Sequence, residues 1–471
     1  MNWIGRWMYT LGINAAFHDS SACLVEDGVV IAASEEERFT RIKHGKRPVP
    51  FSTWELPYHA IDDCLRQGSI TLTDVDHVAY AFDPTLRVPG SLDRATFTLP
   101  IEPSANPVPA GWEAAWDPLF VASIVNAPRH LAGGAPHHLK SRFSGARPDG
   151  PYRWHFVEHH VAHAASAFLA SPFEHAAVMT LDGRGERVTT AYFQGCGTNL
   201  RRIGEVEMPH SLGILYEQVT EYLGFLHSSD EYKVMALASY GEPAYVDDFR
   251  SIVRRWQDGD YTIAAPCLEQ RFGLARVRGG QLEQRHFDVA RSLQIVLEET
   301  VLDIAHWLQT ATGERDLCLA GGVALNCVMN ARIRDEGPFD RIWVQPAAGD
   351  AGTALGAALA VDARERGAEE RRYRMDHAYL GPCYADAEIE SFLTWAKLPF
   401  LRLENVPEEA ATLLAGGNIL GWFQGRMEFG PRALGGRSIL GDARSPTMQR
   451  TLNLKVKYRE SFRPFAPSVL R

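Results

Sequence analysis

The chain begins with apolar runs separated by short polar turns, a pattern typical of β-hairpins. Between residues 9 and 34 the runs YTLGINA, ACLVE and IAAS alternate with the turns FHDSS and DGVV. A second version occupies residues 176–194, AAVMTLDGRGERVTTAYFQ. In the first, Asp27-Gly28 is a strong signal for a tight hairpin turn. Two such hairpins predict a duplicated α/β core with a cleft between its halves, although mixed domains also contain unrelated hairpins.

Two other stretches define the organisation of the first 370 residues. DLCLAGGVALNCVMNARI, at 316–333, predicts a strand, a Gly-Gly turn and a helix whose N-terminus faces the turn. Between 84 and 154 the composition changes to proline, glycine and aromatic residues. We expect an irregular insertion there, either an acceptor-site lid or a plain surface excursion.

The C-terminal part forms a second unit. The charged run RERGAEERRYRMDH gives way to LGPCYADAE between 364 and 388, which places a domain boundary there. ENVPEEAATLLAGG predicts a helix, and NILGWF a strand after it. The sequence therefore predicts one domain over 9–370 and another over 385–471.

Composition limits the class of protein. The 471 residues carry a net charge of −10, which argues against nucleic acid as a partner. Seven cysteines without a C-x-x-C pair indicate a reducing compartment, not a disulfide framework. No run reaches the roughly 20 apolar residues of a membrane span, and the N-terminus does not resemble a signal peptide. We expect a cytoplasmic protein without a membrane partner that can form homo-oligomers.

The segment FVEHHVAHAASAFLASPFEHAAVMTLDGRG suggests a metal site. His159 and His163 lie four residues apart in an alanine-rich helical run, so both imidazoles lie on one face. The following apolar strand delivers Asp182 into a glycine-flanked turn. Two imidazoles and a carboxylate are a plausible ligand set for a catalytic transition metal. The alternative is a solvated helix face that carries histidines.

Basic residues concentrate near the C-terminus of this acidic chain. A guanidinium group can bind two phosphate oxygens at once, and glycines let backbone N–H groups approach an anion. The concentration predicts a nucleotide or polyphosphate site, with an ordinary charged surface as the alternative. The residues are Arg426, Arg432, Arg437, Lys455, Lys457, Arg459 and Arg463.

Several motifs together resemble a known family. They include FHDSSACLVEDG, EEERFTRIKH, EHHVAHAASAF, LDGRGE, DEYKVMALASYG, GGVALNCVMN, PAAGDAGTALGAAL, GRMEFGPRALGGRSIL and KYRESFRPFAPS. The chain resembles the ATP-dependent O-carbamoyltransferases that decorate Nod factors and antibiotics. More distantly, it is similar to hydrogenase-maturation carbamoyltransferases and to tRNA threonylcarbamoyl-transfer proteins.

The resemblance implies an α/β fold of two parts. The first is a duplicated domain of the actin/Hsp70/hexokinase type, and the second is an α/β domain that forms carbamoyl-adenylate from ATP and carbamoyl phosphate. The first domain then transfers the carbamoyl group to a hydroxyl of a small-molecule or glycan acceptor. The implied cofactors are ATP with Mg²⁺ and a divalent metal, commonly Fe²⁺, with Mn²⁺ or Zn²⁺ as alternatives.

Matched position by position, the resemblance assigns roles to particular residues. It implies a general base at His18, for which a buried core histidine is the alternative. The implied metal ligands are His159, His163, Asp182 and Asp350, and the implied carbamoyl-adenylate contacts are Arg432, Lys457 and Arg463.

Further candidates come from the residue types around these motifs. Arg426 and Lys233 are candidate phosphate ligands, and a helix-surface lysine is the alternative for Lys233. The turn that contains Gly321, Gly322 and Asn326 resembles the nucleotide-side loop of the N-terminal fold, and the alternative is a simple strand-to-helix turn. Acceptor or phosphate contacts are predicted at Arg38 and Lys43.

The resemblance leaves the complete activity open. The chain ends three residues after FRPFAPS, so we expect a truncated carbamoyl-adenylate-forming domain. The alternatives are a kinase-like phosphotransferase on the same N-terminal fold, a tRNA-modification protein and an inactive binding protein.

Overall fold

The computed structural model describes residues 7–45, 56–86, 117–133 and 152–470. Its strands are β1 (Tyr9–Asn14), β2 (Ser21–Glu26), β3 (Val29–Glu35), β4 (His77–Tyr80), β5 (Arg153–Phe156), β6 (His175–Leu181), β7 (Val188–Cys196), β8 (Asn199–Glu207), β9 (Val253–Arg255), β10 (Tyr261–Ile263), β11 (Asp316–Ala320), β12 (Arg341–Val344), β13 (Leu420–Phe423) and β14 (Arg437–Leu440).

The helices occupy both halves of the chain and the C-terminal part. They are α1 (Glu37–Thr40), α2 (Tyr58–Gln67), α3 (Asp117–Val125), α4 (Ala127–Gly133), α5 (His159–Phe168), α6 (Leu212–Tyr222), α7 (Glu231–Leu237), α8 (Val246–Ile252), α9 (Leu268–Phe272), α10 (Gln284–Thr312), α11 (Cys327–Glu336), α12 (Ala351–Arg366), α13 (Asp386–Trp395), α14 (Val406–Ala415) and α15 (Met448–Thr451). Among the residues placed in the structure, no helix has the length and apolarity that crossing a membrane requires.

Two five-stranded sheets repeat one topology. The first has the order β3-β2-β1-β4-β5, and the second has the order β8-β7-β6-β11-β12. In both, three antiparallel strands from consecutive hairpins are followed by two parallel strands. The repeat confirms the predicted duplicated α/β fold of the actin/Hsp70/hexokinase type.

The predicted hairpin turn between β2 and β3 is confirmed. Asp27 and Gly28 both have positive φ angles, 45° and 87°. Two consecutive positive φ angles are what a two-residue turn needs to match the twist of its strands. The first sheet therefore starts from a locally encoded turn.

Helix α12 joins the two halves. It packs against α5 and also against β1, β2 and β4 of the first sheet. Small residues permit the close approach, because a Cβ added at Gly12 would lie 1.9 Å from the Ala354 carbonyl oxygen. Likewise, a Cβ at Gly356 would lie 1.8 Å from the Ala162 carbonyl oxygen. The N-terminus of α12 is thereby held close to α5.

We expect Gly12→Ala to lower the free energy of unfolding by about 1–3 kcal/mol, because the added methyl overpacks a joint made of backbone atoms. Chemical denaturation measures the change. Gly421→Ala is the matched control, since a Cβ at Gly421 meets nothing within 4 Å. Equal stability of the two variants would contradict the close packing of α12 on β1.

The segment 84–154 contains more regular structure than its composition predicts. Its described part includes α3, α4 and β5, and Phe120, Ile124 and Leu131 are buried in the core of the first sheet. The expectation of irregular structure therefore does not hold over 117–133. The remainder of the predicted lid, 87–116 and 134–151, lies outside the described residues.

The C-terminal part follows α12 through an irregular segment. The predicted helix and strand are present as α14 and β13, and β13 pairs antiparallel with β14. Phe429 is buried in the core between the sheets, and the Met427 N–H donates to the Pro382 carbonyl over 2.8 Å. The segment around Phe429 thus anchors this part to the N-terminal half, while the predicted boundary remains a prediction.

Candidate metal centre

Four predicted ligands come together where α5, β6 and α12 meet. His159 and His163 lie one turn apart on α5, Asp182 follows β6 directly, and Asp350 immediately precedes α12. All four side chains are buried. The structure therefore places two locally encoded histidines beside carboxylates that are distant in sequence.

The ligand atoms have the separations of a metal site. The Nε2 atoms of His159 and His163 are 3.1 Å apart. Asp182 Oδ2 lies 3.4 and 3.8 Å from these two nitrogens, and Asp350 Oδ1 lies 3.5 and 3.7 Å from them. Ligands about 2.1 Å from a tetrahedral ion are about 3.4 Å apart.

The surroundings of Asp350 provide an independent test of whether the four residues suit a metal ion. It is 1% exposed, and neither carboxylate oxygen has a hydrogen-bond partner in the described part of the chain. A buried carboxylate that accepts no hydrogen bond is unfavourable, and coordination to a cation relieves this cost. The two imidazoles and two carboxylates fit Fe²⁺, Mn²⁺ or Zn²⁺.

The electrostatics of the ligand set favour positive charge at its centre. Burial opposes protonation of His159, but Asp350 and Asp182 outweigh it and raise the His159 pKa well above its usual value. Burial likewise opposes ionisation of Asp182, yet His159 and His163 hold the Asp182 pKa well below its usual value. The carboxylates thus remain ionised and able to bind a cation.

Groups behind the ligands hold them in place. The Gly322 N–H donates to Asp182 Oδ1 over 2.7 Å, and His159 Nδ1 lies 3.3 Å from the Ala81 carbonyl oxygen. Glu186 accepts from the His159 N–H over 3.0 Å. Such contacts fix the orientation of metal ligands. Sequence reasoning missed Glu186, although it lies in the same LDGRGE motif as Asp182.

The predicted nucleotide-side loop lies directly behind Asp182. Gly321 has a φ of 94°, and a Cβ there would lie 2.1 Å from the Leu181 carbonyl oxygen. Asn326 caps α11 by accepting from the Met329 N–H, and its amide pairs with Gln294. These contacts support the carboxylate and the helix, while a nucleotide contact of the loop stays a prediction.

We expect Gly322→Ala to weaken metal binding by about 10–100-fold, the range for changes behind a ligand. The added Cβ would lie 2.9 Å from Asp182 Oδ1 and displace that carboxylate. Gly183→Ala is the control in the turn that carries Asp182, because its Cβ makes only an ordinary 3.5 Å contact with Glu217. Calorimetric titration of both variants with Mn²⁺ measures the difference, and equal affinities would contradict the support by Gly322.

His18 lies at the edge of the ligand set. Its Nδ1 is 3.1 Å from Asp19 Oδ2 and 3.7 Å from Asp350 Oδ2. Burial lowers the His18 pKa, but Asp350 and Asp19 outweigh burial and raise it to about 10. His18 is therefore a hydrogen-bond donor in this arrangement. Sequence reasoning missed His44, whose Nδ1 lies 2.8 Å from Asp19 Oδ1.

Two predicted phosphate or acceptor contacts lie on the Tyr232 ring, and a third, Lys233, is linked to them through Glu460. Lys43 Nζ lies 5.4 Å from the ring centroid, and the Arg463 guanidinium lies 4.2 Å from it. Lys233 and Arg463 both pair with Glu460, at 3.4 and 3.5 Å. The structure therefore assembles a cationic cluster from the N-terminal and C-terminal parts.

The other predicted cations are not grouped with this cluster. Arg38 is buried and donates to Glu35, to Glu37 and to the Gly430 carbonyl, while its predicted substrate contact stays a prediction. Arg426 donates to the backbone carbonyls of Ile31, Leu380 and Gly381. Arg432 and Lys457 are exposed, and their side chains bond to no other described residue.

Comparison with known proteins identifies the family of the chain. The carbamoyltransferase N-terminus family matches residues 9–86 and 151–359, and the carbamoyltransferase C-terminus family matches residues 411–471. The chain is 42% identical to the uncharacterized protein sll1178 of Synechocystis sp., over 98% of this chain and 75% of that protein. It is 38% identical to the nodulation protein NolNO of Sinorhizobium fredii, over 97% of this chain and 63% of that protein.

Solved structures show lower similarity. Full-length HypF in its phosphate- and nucleotide-bound form has a TM-score of 0.41 and 12% identity, over 78% of this chain and 57% of HypF. The two family matches cover most of the chain, including the residues of the buried ligand set. The chain belongs to the carbamoyltransferase family.

Proposed function

We propose that the protein is an ATP-dependent O-carbamoyltransferase. ATP, carbamoyl phosphate and water yield carbamoyl-adenylate, pyrophosphate and phosphate. The carbamoyl group then passes to an acceptor hydroxyl with release of AMP. The carrying observation is the buried set of His159, His163, Asp182 and Asp350, with His18 at its open edge.

The cationic cluster supports a phosphate-bearing donor. Lys43 and Arg463 lie on Tyr232, and Lys43 Nζ donates to Ser229 Oγ over 2.6 Å. The same hydroxyl is 3.0 Å from His44 Nε2. Donor phosphates bound by these cations would lie near His44 and His18, which supports transfer of the carbamoyl group beside the buried ligand set.

The reaction requires that a poor nucleophile attack a weak electrophile. Attachment to AMP provides a good leaving group, and the attacking alcohol must lose its proton. A metal held by the four ligands supplies Lewis-acid stabilisation of the charge that develops during transfer. His18 would orient the substrate by donating a hydrogen bond from Nε2, because its Nδ1 faces Asp19 and Asp350.

The relatives support one acceptor class in particular. NolNO is a nodulation protein, which favours a glycan acceptor of the Nod-factor type. Natural-product alcohols such as aminoglycosides are the second class to test, since the resemblance extends to enzymes that modify antibiotics.

The test incubates the metal-loaded full chain with ATP, carbamoyl phosphate and a panel of chitooligosaccharides and aminoglycosides. We expect AMP, pyrophosphate and a carbamoylated acceptor, detected by mass spectrometry. A parallel reaction receives carbamoyl-adenylate directly and tests transfer alone. Release of ADP with a phosphorylated acceptor would instead establish the kinase-like activity, and no product in any reaction would contradict both enzymatic proposals.

A further inference from the structure

We propose that His18, Asp19 and His44 bind a second divalent transition-metal ion, and that Asp350 bridges this ion to the one held by His159, His163 and Asp182. This inference deepens the proposed function and rests on its metal site. The three residues are one of two groups in the described chain whose ligand atoms lie close enough to share an ion.

The second group has the donors of a transition-metal site. Asp19 presents one oxygen to each histidine, at 3.1 Å from His18 Nδ1 and 2.8 Å from His44 Nδ1. His44 is oriented through its other nitrogen, which lies 3.0 Å from Ser229 Oγ. Metal-binding histidines are commonly held in this way by a partner behind the ring.

Asp350 links the two groups. Its Oδ1 faces His159 and His163 at 3.5 and 3.7 Å, whereas its Oδ2 faces His18 at 3.7 Å. Both oxygens are buried without a hydrogen-bond partner among the described residues. A single ion bound through Oδ1 satisfies half of this carboxylate, and a second ion beside Oδ2 satisfies the other half.

Two residues of the second group have strained backbone conformations. Asp19 and His44 have φ angles of 51° and 65°, which non-glycine residues rarely adopt. The Asn14 amide holds the first turn by donating to the carbonyls of His18 and Asp19, at 2.9 and 3.0 Å. Strained residues persist where the surroundings enforce them, often at ligand-binding sites.

Charge balance favours a second cation. The two negative charges of Asp182 and Asp350 balance the charge of one divalent ion. The negative charge of the Asp19 carboxylate is not balanced by that ion. In the described part of the chain, Asp19 forms ion pairs with His18 and His44 only, without a lysine or arginine partner. A second ion would neutralise Asp19 without requiring either histidine to be protonated.

The second ion would be the one that the substrate reaches. The side chains of His18, Asp19 and His44 are 36%, 26% and 27% exposed, whereas those of His159 and His163 are fully buried. In two-metal sites the ions lie about 3.5–4 Å apart and jointly stabilise the attacking and leaving oxygens. The open position of the second ion suits the acceptor hydroxyl.

The test measures how many Mn²⁺ ions the full chain binds. The protein is first stripped of metal and then equilibrated with Mn²⁺ alone, and calorimetry and elemental analysis count the bound ions. We expect two ions per chain in the parent and in the control His306→Gln, whose side chain is exposed on α10. Asp19→Asn and His44→Gln should each retain one ion. Electron paramagnetic resonance should show two coupled Mn²⁺ ions in the parent and one isolated ion in these variants.

The outcomes separate the two proposals. One ion per chain in the parent, with an isolated-ion spectrum, would overturn the second site and leave the first intact. No bound ion in the parent would overturn both. The parent spectrum decides the question even if a variant fails to fold.

Discussion

Replacing both His159 and His163 by alanine is expected to abolish metal retention. Each change removes a direct ligand, so the loss should exceed the 10–100-fold effect of changes behind a ligand. Carbamoyl transfer from supplied carbamoyl-adenylate should fall by at least about 10²–10³-fold, the cost of losing one group that stabilises developing charge. Elemental analysis of anaerobically purified protein and single-turnover transfer rates measure the two effects.

Two variants make this experiment decisive. Asp350→Asn preserves the shape of a buried ligand and should also lose the ion, which guards against misfolding of the double variant. His306→Ala removes an exposed imidazole on α10 and should change neither measurement. A full complement of metal in the double variant would show that the four residues are not the binding site.

The histidine pair could be predicted because its geometry is local. A spacing of four residues in a helical run places both rings on one face, and the strand before Asp182 is visible as an apolar run. The prediction holds for the fold around these residues, where α5 and β6 have the expected types. The duplication of the core was foreseeable for the same reason, since each hairpin carries its own turn signal.

Asp350 and His18 required more than local pattern. They lie 187 and 145 residues from His163, so only the resemblance to a family placed them in the site. His44 and Ser229 were missed because their meeting depends on how a strained turn after α1 packs on the segment before α7. Composition also misjudged 117–133, where apolar residues of two helices enter the first core.

Basic residues were the least reliable guide, because sequence cannot distinguish an arginine that binds phosphate from one that binds carbonyl groups. Arg38 and Arg426 both join the N-terminal half to the C-terminal part through backbone carbonyls. The members of the cationic cluster, Lys43, Lys233 and Arg463, come instead from three separate segments. Burial and existing partners, which only the fold reveals, separate the two kinds of residue.

Arg38→Met is expected to lower the free energy of unfolding by about 3–5 kcal/mol, the cost of breaking a buried ion pair from one side. Arg38 is 6% exposed, and its loss leaves Glu35 buried without its partner. It also removes the bond to the Gly430 carbonyl, which holds the C-terminal part against β3. Denaturant unfolding measures the loss, and Arg334→Met, an exposed arginine paired with Asp335, is the control.

The effect of Arg38→Met should depend on pH in a defined direction. Burial raises the pKa of Glu35 to about 7, although the positive charge of Arg38 lowers it. Because this pKa is raised above the unfolded value, ionisation of Glu35 opposes folding as pH rises from about 4.5 to 7. Without Arg38 the penalty grows, so the variant should lose more stability at pH 8 than at pH 5.

A second substitution distinguishes this structural role from substrate binding. Adding Glu35→Gln to Arg38→Met removes the uncompensated charge, so it should recover part of the lost stability and flatten the pH dependence. If Arg38 instead contacts the acceptor or a phosphate, Arg38→Met will unfold like the parent and raise KM. That result would contradict the buried position of Arg38 and return it to the substrate site.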